Sequence, residues 1–232
     1  MDLQDLKTEY YFFNPTEFGK VFVLVDFGNV RPWAKDLWPE ENKFKISIEV
    51  DIEKLAEVCN WVSPVKKFFY YGYFEEDQGK EKHNKSIWRI DKAKRFGFQV
   101  KTKPIKMVPH YEEDGTFVGK FPKCNFDVEM TMTMLQKIDK YDSIMLFSGD
   151  SDFGGLLGYL KSKGKKVIVV CTRNRMSKEL ETVADKFIPA ETLAKFLQYI
   201  PKQTRPSCQA RAGYKHNPSI LWARVVFTTE LV

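Results

Sequence analysis

Asp150 and Asp152 stand in the stretch LFSGDSDFGGLLGYL, Leu146 to Leu160, between an apolar run and an amphipathic one. Two carboxylates two residues apart repel, so each needs a reason to be there: a helix cap that accepts backbone N–H groups, or a bound cation. Asp26 raises the same question directly after the apolar run Val21–Val25, with Asn29 one short turn beyond, and Asp127 raises it where a helical pattern opens. Singly, each has a plain structural reading. Asp26 begins a turn, Asp127 favours a helix dipole, Asp150 caps and Asp152 is a first-turn acid. Together they form a hard oxygen donor set with one amide, which suits Mg2+ or Mn2+ better than zinc. Such a cation polarises a phosphoryl oxygen and lowers the pKa of a bound water, so a phosphate ester is the substrate class implied. Ser148 can orient a ligand through its hydroxyl and Lys123 can contact a phosphate; plain solvation is the alternative for both.

The acids act together only if the fold gathers them. KVFVLV reads as a buried strand, followed by a polar insertion, RPWAKDLWPEENKFKISIEV, read as an ordered loop with a short extended end. Asp51 can cap a helix through Val62, VKKFFYYGYF is a second strand, and a basic helix follows that Gly97 stops. FQVKTKPIKMV is a third extended segment, and Asp114-Gly115 marks a hairpin in VPHYEEDGTFVGKF. Asn125 can cap the helix that contains Asp127; DSIMLFS and KKVIVVC are further strands, and KFI is a short candidate edge strand. Strands alternating with helical patterns predict a mostly parallel sheet of about five strands with helices on both faces. In such a sheet ligands bind beyond the carboxyl ends of the strands, and this reading brings Asp26, Asp127, Asp150 and Asp152 to that one edge. Gly154 and Gly158, spaced i, i+4, let their helix approach a neighbour closely, with helix–strand packing the common cause and a nucleic-acid backbone the other reading.

The 232 residues suffice for one large α/β domain. The net charge of +6 is unevenly spread: Gly79–Lys106 holds ten basic residues against Glu81 and Asp91, and Lys161–Lys178 holds seven and no acid. Basic surroundings of an acidic centre suit a phosphodiester strand, and Trp33 and Trp38 can stack on unpaired bases or pack on the core. The four cysteines show no zinc spacing and read as reduced thiols. Neither a signal sequence nor a membrane span is evident, so a cytoplasmic protein is expected.

VFVLVDFGNV, CNFDVEMTMTML, FSGDSDF, GKKVIVV and SKELETVADKFI resemble, in order and spacing, the NYN domains of the LabA-like group, relatives of the PIN-domain nucleases. The resemblance runs from about Lys20 to Ile188. It implies a PIN-like three-layer α/β/α sandwich over residues 20–200, from which insertions at 31–50 and 108–121 depart; 1–19 is an N-terminal extension, and three prolines with few helix signals mark 201–232 as a linker and poorly ordered tail without a counterpart in the family. It also implies a divalent-metal ribonuclease. By position the family's acids fall on Asp26, Asp127, Asp150 and Asp152, expected to be catalytic and metal-binding, and its asparagine falls on Asn29; Ser148 and Lys123, from the reading of the residues themselves, join Asn29 as the expected substrate-binding set. The partner implied is RNA, single-stranded or a structured small RNA, with no membrane and with homo-oligomers left open. The competing reading is an RNA-binding or regulatory adaptor of the same fold with little turnover. A haloacid-dehalogenase-like phosphatase fits less well, because Gly28 occupies the place where that chemistry needs a second aspartate.

Overall fold

The β-branched run at Val21 forms strand β1 (Val21–Asp26) in the interior of a six-stranded sheet, seen in a computed structural model that describes residues 2–11, 14–43 and 48–199. The other sheet strands are β3 (Lys66–Tyr70), β4 (Gln99–Lys101), β7 (Ser143–Phe147), β8 (Lys166–Cys171) and β9 (Lys186–Pro189). Their order is β4-β3-β1-β7-β8-β9, and every pairing is parallel. The sixth strand is the KFI segment. Of the third extended segment, only Gln99–Lys101 joins this sheet. Pro104 makes an isolated bridge to Tyr73, and the chain then leaves in the antiparallel hairpin β5 (Lys106–Tyr111) and β6 (Phe117–Lys123). The short strands β2 (Glu49–Val50) and β10 (Gln198–Tyr199) pair antiparallel apart from both. The sheet, flanked by helices, makes an α/β/α sandwich.

The strand order explains where a site can open. From β1 the chain winds outward through β3 and β4, then returns to lay β7, β8 and β9 on the other side. The order therefore reverses between β1 and β7, and connections leaving the two strands diverge there, opening a crevice at their carboxyl ends. Val21–Val25 and Ile144–Phe147 are fully or almost fully buried, as continuous apolar strands covered on both faces must be.

The helices follow their punctuation. Asp51 caps helix α1 (Ile52–Cys59) through the N–H groups of Glu53 and Lys54, and Ile52, Leu55, Ala56 and Cys59 share its buried face. Helix α2 (Lys80–Arg95) ends before Gly97, whose φ of +81° suits glycine. Helix α3 (Asp127–Gln136) starts at Asp127 itself; Phe126, not Asn125, holds the cap position, and without a side-chain hydrogen bond. Helix α4 (Gly154–Ser162) packs Gly154 and Gly158 on helix α5 (Lys178–Val183). A Cβ on Gly154 would stand 2.7 Å from that of Glu179, so the close neighbour is a helix.

The insertion 31–50 ends in the expected short extended segment, β2, but its first part is not a loop: Trp33–Leu37 and Pro39–Lys43 form successive helical turns, continuing from the turn Phe27–Val30. Trp33 is fully buried and Trp38 is 6% exposed, so both belong to the core and neither can stack on a base. The proline and polar content that read as loop instead starts short helices, which prolines at first turns permit.

Two of the cations on α2, Arg89 and Lys92, tie it to the segment Glu49–Asp51. Arg89 donates from Nε to Glu49 at 3.0 Å, from a terminal nitrogen to the same carboxylate at 2.5 Å, and to the Tyr71 hydroxyl at 3.3 Å. Lys92 pairs with Asp51 at 2.8 Å. Arg89→Ala is expected to cost about 2–3 kcal/mol in urea unfolding, less than for full burial because Glu49 keeps 22% of its side chain exposed. The double variant Arg89→Met, Glu49→Leu should recover most of that loss, since removing both charges leaves none stranded.

Candidate active site

Asp26 is the last residue of β1, and its Oδ1 accepts the N–H of Asn29 at 3.3 Å, capping the helical turn Phe27–Val30. Across the crevice, β7 runs into Ser148, Gly149 and Asp150. Asp150 caps the turn Ser151–Phe153 by accepting the Asp152 N–H at 3.1 Å. Asn29 ties the two together: its Oδ1 accepts the N–H of Gly149 at 3.2 Å. Ser148 is fully buried, and its hydroxyl accepts the Asp150 N–H at 3.3 Å. Two of the three residues expected at the substrate, Asn29 and Ser148, are thus engaged in shaping the loop that carries Asp150. Asp127 enters from α3, and Asn125 donates to its Oδ2 at 2.8 Å. Asp152 is exposed, and Lys123 is exposed at the end of β6.

The acids act on one another electrostatically. Burial, with the charges of Asp127 and Asp150 adding to it, pushes the Asp26 carboxyl up to about 6 despite the opposing N–H groups of Asn29 and Gly28. Asp127 is raised as well, by burial first and then by Asp150 and Asp152, with Lys103 pulling the other way. Its helix neighbour Glu129 gives one oxygen to Lys103 at 2.5 Å, while its Oε2 is buried with no hydrogen-bond partner among the described residues. Among those residues, no three acids, imidazoles or thiolates stand close enough to grip a metal ion as they are. The set fits a hard divalent cation in kind, since clustered carboxylates with raised pKa values and an unsatisfied carboxylate oxygen all gain from positive charge.

Three contributors escape a reading of the sequence. Glu129 follows Asp127 by two residues but looks like an ordinary first-turn acid. Gly149 is needed where a Cβ would stand 2.1 Å from the Arg175 carbonyl oxygen. Arg175 ion-pairs through Nε with Asp36, fastening the helical insertion to the loop after β8. Burial opposes this charge, but hydrogen bonds from Arg175, Asn174 and Thr172 hold Asp36 below its ordinary value. Only the aspartate spacing and the glycine of SGDSDF offered a local signal; the partners lie far apart in sequence.

The NYN domain matches residues 20–193, three quarters of the chain. The chain belongs to the NYN domain family. NYN domains are generally nucleases, and divalent metals are general in the PIN and NYN nucleases. This NYN domain is 32% identical over 111 residues to the low amplitude and bright protein LabA of Synechococcus elongatus, a match covering 48% of this chain and 56% of that protein. The chain thus spans little more than half the length of that relative. In three dimensions it is similar to the crystal structure of a protein of unknown function from Vibrio parahaemolyticus. The TM-score is 0.51 at 24% identity, with 74% of this chain and 92% of that one covered, a likeness of fold. Among the described residues of this NYN domain no helix is long and apolar enough to cross a membrane.

Proposed function

We propose that this NYN domain hydrolyses the phosphodiester bonds of RNA with Mg2+ or Mn2+ held by Asp26, Asp127 and Asp150. The observation that carries the reading is that the end of β1, the loop after β7 and the start of α3 bring their acids close enough for Asp127 and Asp150 to raise the buried Asp26, and for Asp150 to raise Asp127. A divalent cation relieves that repulsion and, when bound, supplies a Lewis acid at the phosphoryl oxygen and a water of lowered pKa. Asp152, exposed one turn further on, serves as a further ligand or orients the attacking water. Asn29 and Ser148 are positioning residues that fix the Gly149–Asp150 turn, and Lys123 meets a substrate phosphate. Single-stranded RNA or a structured small RNA is the partner class.

Asp150→Asn tests the assignment, because the amide oxygen can still accept the Asp152 N–H and preserve the turn. Cleavage of single-stranded RNA in Mn2+ is expected to fall by about a thousandfold or more, with the unfolding temperature unchanged. EDTA should stop the wild-type protein. A purified variant that cuts as fast as wild type would falsify the assignment. The competing reading is an RNA-binding or regulatory adaptor of the same fold with little or no turnover. RNA that is bound but left uncut in Mn2+ would decide for it.

A further inference from the structure

Register decides which side chains of the β5–β6 hairpin share a face. Lys106 pairs with Lys123, Val108 with Phe121 and His110 with Gly119, and residues two apart on a strand project to the same side. One face therefore carries Lys106, Val108, His110, Phe121 and Lys123. Val108 is 41% and Phe121 52% exposed, although a two-stranded ribbon has little else to hold it together. The His110 ring stands edge-on to Phe121 with centroids 5.5 Å apart. Its partner across the ladder, Gly119, adds no side chain, and open space lies where a Cβ would be. The rings are thus left uncovered on that side.

The lysine end of this face leads toward the acids. A groove of about 230 Å³ lined by Lys106, Val108 and Lys123 continues to Asn125, whose amide donates to Asp127. The acids of the hairpin, Glu112, Glu113 and Asp114, gather at the opposite end, in the turn.

We propose that this face is a platform for single-stranded RNA, with bases stacking on His110 and Phe121 and phosphates meeting Lys106 and Lys123 on the way to the acid cluster. The proposal rests on the reading of that cluster as an RNA-cleaving site and adds a binding surface to it. Unpaired bases offer π-faces to such rings, whereas a duplex keeps its bases stacked within. The lysine pair, at the end of the face that leads to Asn125 and Asp127, is complementary to a phosphate backbone running toward the acids. A second copy of the chain is the other occupant, and the sedimentation measurement below tests for it.

The test is fluorescence anisotropy in EDTA, where cutting is silent, with fluorescein-labelled oligouridylate and oligoadenylate of about 12 nucleotides and an RNA duplex of equal length. His110→Ala with Phe121→Ala is expected to weaken single-strand binding about five- to a hundredfold and leave the salt dependence alone. Lys106→Ala with Lys123→Ala should weaken it too and reduce the slope of log affinity against log salt by about 1.4. Binding of the duplex should change less in the ring variant. All four side chains are exposed, so unfolding temperatures should match wild type. Unchanged single-strand affinity in both variants overturns the proposal, as does a change in sedimentation with RNA binding intact, which would assign the face to a second copy. Cleavage in Mn2+ on the same proteins separates the two readings. Hairpin-dependent binding without cleavage sinks only the hydrolase reading, and cleavage with hairpin-independent binding sinks only the platform.

Discussion

Asp26→Asn is expected to make the metal-free protein more stable at pH 8, by up to about 3 kcal/mol, while abolishing RNA hydrolysis. The first effect follows from the environment of the carboxyl. Burial and the neighbouring charges of Asp127 and Asp150 raise it from 3.8 to about 6 in the folded chain. Between those two values the folded state binds more protons than the unfolded state, so stability falls as pH rises through the window. Above pH 6 the full cost is present, and below about pH 4 it is absent. An asparagine carries no charge at any of these values, and its amide oxygen can still accept the Asn29 N–H.

Thermal unfolding in EDTA from pH 4 to pH 8 measures the effect. The variant's advantage should open between pH 4 and 6, reach roughly 6–12 °C, and stay level above that. Adding Mn2+ should reverse the order, because a ligand bound by the folded state alone stabilises it by mass action and the variant lacks a ligand for it. A variant no more stable than wild type at pH 8 would mean that the acids do not load one another.

The parts of this molecule visible in its sequence are those decided by neighbours in the chain. Val21–Val25 could only be a covered strand, Asp51 and Asp150 stand where a helix needs a cap, and the acids of SGDSDF follow an apolar run directly. Because parallel strands present their carboxyl ends together, the placing of Asp26 and Asp150 after the neighbouring strands β1 and β7 followed from those local facts. What stayed hidden depends on groups distant in the chain. Trp33 and Trp38 look like base-stacking aromatics until the helical turns of the insertion fold them into the core. Arg89 looks like one more cation on a basic helix until Glu49 meets it from forty residues away. Asn125 has the residue type of a cap, yet the helix begins late enough that its amide reaches the Asp127 carboxylate instead.

Gly149→Ala is the other large effect expected, at a residue that does no chemistry. A methyl there would lie 2.1 Å from the carbonyl oxygen of Arg175 and 2.8 Å from its carbonyl carbon, closer than packed atoms stand. Neither partner is a flexible side-chain end that can swing away. The Arg175 backbone is held by its N–H to Thr172 at 3.0 Å, and its side chain is ion-paired to Asp36. Gly149 is held by its own N–H to Asn29. Relief must come from separating the loops after β7 and β8, which breaks the Asn29 bridge and turns the Asp150 carboxylate away from Asp26. Overpacking against backbone at this level costs about 3 kcal/mol, a fall of roughly 6–12 °C in unfolding temperature. Cleavage should fall with it even at temperatures where the variant is fully folded. That separates it from Asp150→Asn, which should lose cleavage at wild-type stability. A Gly149→Ala protein with wild-type unfolding and wild-type cleavage would show that the two loops do not meet as closely as the Asn29 bridge requires, and the positioning role given to Asn29 would fall with that contact.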